Sequence, residues 1–397
     1  MRRSAAAAAA SITLAFALCP EWAAAAVPQI DVSGFGTGGF AITDTGKADF
    51  GRSQAQATGT NKDGDVGISL FGIQGTVRLT DMFSATVQGL VRRQFSPNFQ
   101  LDIPVFFLKA EVTRDLAVRV GRIQLPTFMV SDYRQVGYSN TWIRPPVEMY
   151  GQIPFDNDDG ADVLYRKSLG PFDISTQVFY GKTDASLAVA TIQGRRNWGV
   201  DTTITIGPLS VRGGRSESTF TSISTQTNTL LAEVSAAGFP DLANRLSPTN
   251  VPFRFTNIGF SLDGTHLTAE GEASREKAGG YLASLDAQYV LAGYRVRKFT
   301  PYVMYARSKI TSERTDPTIP HFGPLLPLAL GVDQLINSFG GDQHTISAGL
   351  RWDLHDSVDM KAQVDRVSPQ GNGLFVNPQP GFHGPVDVLT VTVDFVF

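Results

Sequence analysis

Basic side chains recur at matched places early in the chain. Arg78, Arg92, Lys109 and Arg119 each lie on the polar side of a segment in which apolar and polar residues alternate, and Arg212 repeats the placement further on. Carboxylates crowd the intervening stretch: Glu148, Asp156, Asp158 and Asp159, with Asp162 just beyond. Guanidinium and ammonium groups set side by side, facing carboxylates across a gap, break no bonds; they create a field that orients and sorts charged solutes. Residues suited to bond chemistry are not arranged for it. The five histidines, His266, His321, His344, His355 and His383, fall in turns, loops or strand ends, with no pair at zinc-ligand spacing. The nucleophile pattern G-x-S-x-G and the phosphate loop G-x-x-x-x-G-K-[ST] are both absent. No metal or cofactor is expected, and an enzyme is kept only as the last alternative.

The elements that must hold these charges read as strands. Alternation at period two runs through most of the chain, clearest at the end, where Leu389, Val391, Val393, Phe395 and Phe397 oppose Thr390, Thr392 and Asp394. The pattern predicts sixteen strands, over 29–42, 64–79, 82–93, 103–113, 116–124, 160–169, 172–182, 195–206, 208–217, 252–263, 265–275, 280–292, 299–310, 343–354, 357–367 and 386–397. Most are longer than the roughly 5–6 residues of a soluble strand and match the roughly 9–11 of a tilted strand crossing a bilayer. Tight joins such as Thr80-Asp81, Gly170-Pro171 and His355-Asp356 follow most even-numbered strands; long loops, 43–63, 125–159, 218–251, 311–342 and 368–385, follow most odd ones. Short turns on one side and long loops on the other predict an all-β fold: a transmembrane, antiparallel, up-and-down β-barrel with periplasmic turns and extracellular loops. A barrel in lipid must put its charges inside, because Arg or Lys on the lipid face at mid-bilayer costs about 2–4 kcal/mol. The aromatics Phe83, Trp198, Phe260, Tyr281, Tyr289, Trp352, Phe395 and Phe397 are expected at the lipid interfaces.

The start of the chain predicts export. Arg2 and Arg3 precede an apolar stretch from Ala5 to Leu18 and a small-residue run, Ala23 to Ala26, the layout of a cleavable secretory signal. Residues 1–26 are assigned to it, with the mature chain starting at Val27 and forming one domain over 27–397. The sole cysteine, Cys19, falls inside the signal, so no disulfide is expected. A net charge of −3 argues against a nucleic-acid partner.

The terminal run Val393-Asp394-Phe395-Val396-Phe397, the glycine-rich opening Ile30-Asp31-Val32-Ser33-Gly34-Phe35-Gly36 and the long loop after the fifth strand together resemble the sixteen-stranded porins of Gram-negative outer membranes. The resemblance covers the mature chain in architecture and rests on specific residues only at its two ends. It implies a water-filled channel in the cell outer membrane for passive diffusion of small hydrophilic solutes and ions, surrounded by outer-membrane lipid. It also implies a homotrimer, recognition of Phe397 by the barrel-assembly machinery, and a third loop folded into the lumen. In that arrangement Arg78, Arg92, Lys109, Arg119 and Arg212 line the pore opposite Glu148, Asp156, Asp158, Asp159 and Asp162. The loop's aromatics, Phe128, Tyr133, Tyr138, Trp142 and Tyr150, would wedge it against the wall. A channel selective for sugars, phosphate or organic acids is the main alternative; a barrel with a plugged lumen is another.

Overall fold

The computed structural model describes residues 29–188 and 190–397; the expected signal and the start at Val27 lie outside the described residues. Sixteen strands form one closed antiparallel barrel in which each pairs with its sequence neighbours and the last returns to the first. They are β1 (Gln29–Thr43), β2 (Leu70–Arg78), β3 (Phe83–Arg92), β4 (Gln100–Glu111), β5 (Leu116–Gln124), β6 (Asn157–Leu169), β7 (Phe172–Ser186), β8 (Thr191–Ile206), β9 (Leu209–Ile223), β10 (Val251–Asp263), β11 (Leu267–Ala278), β12 (Leu285–Tyr294), β13 (Phe299–Ile310), β14 (Gln343–His355), β15 (Val358–Pro369) and β16 (Val386–Val396). Four helices sit in the long extracellular loops: α1 (Val147–Tyr150), α2 (Thr225–Ala236), α3 (Pro240–Arg245) and α4 (Leu326–Ile336).

All sixteen predicted strands are present in order; the differences are at their ends. β2 begins at Leu70 rather than residue 64, and β12 at Leu285 rather than 280, where Gly280 adopts φ +59° in a turn. β7, β8 and β9 run several residues further outward than the alternation indicates. A bulge between Arg195 and Trp198, with Arg196 at φ +54°, breaks the period there; an inserted residue swaps the faces of everything beyond it.

The seam between β1 and β16 explains the two termini of the pattern. Backbone hydrogen bonds of 2.9 Å join Gly34 and Phe397 in both directions. A Cβ at Gly34 or Gly36 would meet the ring of Phe397 or Phe395 at 2.2 or 2.4 Å, so the first strand is glycine-rich because the terminal aromatics lie flat across it. Phe71 of β2 stacks on Phe397, centroid to centroid 6.4 Å.

Burial is inverted relative to a soluble protein. Ile258, Val303 and Phe106 on the outer face are about three-fifths exposed, whereas Asp359, Lys361, Gln363 and Asp365 inside β15 are buried. One region departs from this. Tyr281 and Tyr289, expected at the lipid surface, are buried inside. The inner face of β12, Leu285, Ala287, Tyr289 and Leu291, is apolar while its outer face carries Asp286 and Gln288, so alternation there points the apolar side the wrong way. Ala287, Tyr289 and Leu291 pack under the third extracellular loop.

Candidate functional site: an arginine-lined constriction

That loop, residues 125–156, crosses the lumen. Phe128, Trp142, Met149 and Tyr150 pack against Phe255 of β10, Tyr289 of β12 and Tyr302 and Met304 of β13. Phe128 and Phe255 meet edge to face at 5.3 Å. Polar ties lock the same path: the Met129 amide donates to Glu272 at 3.1 Å, the Trp142 indole to Glu270, and the Ile143 amide to Gln363 at 3.2 Å. At the far wall Lys361 donates to the Gly137 carbonyl at 2.6 Å. Apolar packing therefore fills the β10–β13 side of the lumen, and open space is left on the β1–β6 side.

Arg92 is buried inside the β3 wall and pairs with Asp156 at 2.6 Å and Asp102 at 2.8 Å. Arg119 meets Asp162 at 2.5 Å. The basic wall and the acidic groups thus lie opposite one another, but as closed ion pairs rather than two bare charged surfaces. Arg212 faces inward on β9, donating to the Pro126 carbonyl at 2.7 Å and pairing with Asp201 at 3.1 Å. Arg78, Lys109 and Arg119 share a cavity of about 680 Å³ in the periplasmic half of the lumen, where Lys109 pairs with Glu111. Asp158 points inward and accepts from Thr183 and Asn197, each at 2.7 Å. Glu148, in α1, accepts from Gln343 at 2.8 Å and from Thr345. Asp159 differs: it sits on the outer face of β6 and pairs with Arg122 at 2.7 Å, because it lies within the strand one residue after inward-facing Asp158.

The structure adds four arginines that strand reading did not place. Arg52 of the first loop, Arg93 just past β3, and Arg134 and Arg144 of the third loop join Arg92 around a cavity of about 100 Å³. Four have carboxylates: Arg92 as above, Arg93 with Asp65 at 2.5 Å, Arg134 with Asp156 at 3.3 Å, Arg144 with Asp365 at 2.5 Å. The Arg52 guanidinium donates only to the backbone carbonyls of Ile68, at 2.7 Å, and Gly67, at 3.3 Å, with no carboxylate in pairing range among the described residues. Burial, then the charges of Arg92, Arg144, Arg134 and Arg93, lower its pKa to about 10. It remains a cation at neutral pH. Burial opposes ionisation of Asp156, but Arg92 and Arg134 outweigh it and hold its carboxyl well below the usual range. The lining of this cavity therefore carries one more fixed positive charge than its paired carboxylates neutralise.

No protein-family profile matches the sequence, and neither does any curated protein. Solved structures do match. The outer-membrane channel DcaP of Acinetobacter baumannii is 12% identical, with 95% of this chain and 99% of that one covered and a TM-score of 0.56. An anion-selective porin from Comamonas acidovorans is 11% identical over 94% and 100%, TM-score 0.54. The trimer form of OmpT from Vibrio cholerae is 10% identical over 93% and 99%, TM-score 0.53. The chain has the fold of the sixteen-stranded outer-membrane porins.

Proposed function

We propose that this protein is an outer-membrane porin for small hydrophilic solutes, with a constriction that favours anions. The observation that carries the charge preference is Arg52, a half-buried guanidinium with no carboxylate in pairing range among the described residues, ringed by four other arginines. A passing anion supplies the missing counter-charge; a cation meets net repulsion in a passage too narrow for water to screen it well. Arg78, Lys109 and Arg119 line the lumen on the periplasmic side, interleaved with Asp31, Asp81, Glu111 and Asp132, with Arg212 on the opposite wall and Asp156, Asp158, Asp162 and Glu148 holding loop and wall in register. Asp159 has no part in the lining. Unit charges about 4 Å apart interact by about 1 kcal/mol even in bulk water, so Arg52→Ala should cut the anion-to-cation permeability ratio by about fivefold. Reversal potentials of the two proteins in a salt gradient test this; an unchanged ratio would remove Arg52 from the conduction path.

The homotrimer also belongs to this proposal. The outward side chains of β1–β4, among them Val32, Ile73, Val87 and Phe106, include no charged residue. On β9–β12, Arg215, Glu217, Arg254, Arg275 and Asp286 stand outward at the extracellular end. Uniform apolarity on one face suits burial against a second copy, and a charged collar on the other suits lipid headgroups. Phe397, at the seam, is the contact offered to the assembly machinery.

A further inference from the structure

On the opposite side of the third loop lies a second cavity, of about 90 Å³, between the loop, the first extracellular loop and the outer ends of β8–β12. Ser53, Ile153 and Pro154 border both this cavity and the arginine-lined one. Their chemistry is opposite. The second cavity is lined by no Lys, Arg or His among the described residues, and mostly by apolar groups. Phe155, Phe220 and Phe253 form one wall, with ring centroids 5.6 and 5.0 Å apart. Into it faces Glu276 of β11, only 5% exposed, whose Oε2 has no hydrogen-bond partner. A second carboxylate on the lining, Glu148, is already satisfied by Gln343 and Thr345.

A buried carboxyl with an empty oxygen is met by either a proton or a cation, because leaving it charged and alone is costly. We infer that this cavity is a binding site for a short organic ammonium: a primary amine on a small apolar body. The NH3+ donates to Glu276 and lies against the phenylalanine faces, which attract cations; the alkyl part occupies the apolar remainder. Size limits the ligand. A cavity of about 150 Å³ holds benzene, so this one takes roughly four non-hydrogen atoms. Entry is from outside, since Gln54, Tyr281 and Phe339 border both this cavity and an outer vestibule of about 960 Å³. The inference does not depend on the anion preference of the constriction.

The test is equilibrium binding of n-propylammonium to the folded protein in detergent, beside 1-propanol and propionate, which match its size but not its charge. The ammonium should bind about tenfold more tightly than either, as expected for a hydrogen bond to a buried charge. Glu276→Gln should bring it down to the level of 1-propanol while leaving channel conductance unchanged. Equal binding of propylammonium and propanol to the unaltered protein would overturn the inference without recourse to a variant, and so would a Glu276→Gln protein that keeps the preference.

Discussion

At the residue scale, the groups that matter most are those whose burial and charge are at odds. Arg52 was not legible in the sequence. It sits in a loop without alternation, so nothing marks which way it points, and the same holds for Arg134 and Arg144. Arg92, Arg119 and Arg212 could be placed because strand period fixes their face; Asp159 was misplaced because it was read as loop. Glu148 allows a test by pH. Burial pushes its carboxyl up from the ordinary value, partly offset by the hydrogen bonds from Gln343 and Thr345. A carboxyl whose folded-state pKa is raised binds its proton more tightly when folded, so its contribution to stability is present at acid pH and is lost as pH rises from the ordinary glutamate value upward. Glu148→Gln should therefore be more stable than the unaltered protein at pH 7, with the gap closing towards pH 4. Thermal unfolding of both proteins across that range measures it; a gap independent of pH would contradict the account.

At the element scale, the strands were readable because lipid outside and water inside impose opposite demands on successive residues. The rule inverts at β12, where the third loop presents an apolar surface to the lumen, so the apolar side of the strand turns inward and Asp286 and Gln288 turn outward. How the loop docks was not readable, since it depends on partners more than 100 residues away, such as Trp142 on Glu270 and Ile143 on Gln363. Docking by a fully buried indole predicts a large effect on truncation. Trp142→Ala removes packing of a kind typically worth about 3–5 kcal/mol and frees the loop. Single-channel records should then show noisier current and larger steps than the unaltered protein. Steps of the same size and quiet baseline would mean that the loop is held by other contacts.

At the scale of the whole molecule, one face of the barrel is uniformly apolar and another carries charges at its outer end. If β1–β4 meet a second copy, Val87→Arg places an unpaired charge in that contact, and the protein should run as folded monomers in native gels and light scattering. Trimers surviving this change would put the interface elsewhere. Conduction is the most direct check on the central claim. In a planar bilayer with a potassium chloride gradient, the purified protein should open in discrete steps and reverse at a potential of the sign set by chloride. The absence of steps would contradict the channel; reversal at the sign set by potassium would contradict the arginine-lined constriction as its selectivity filter.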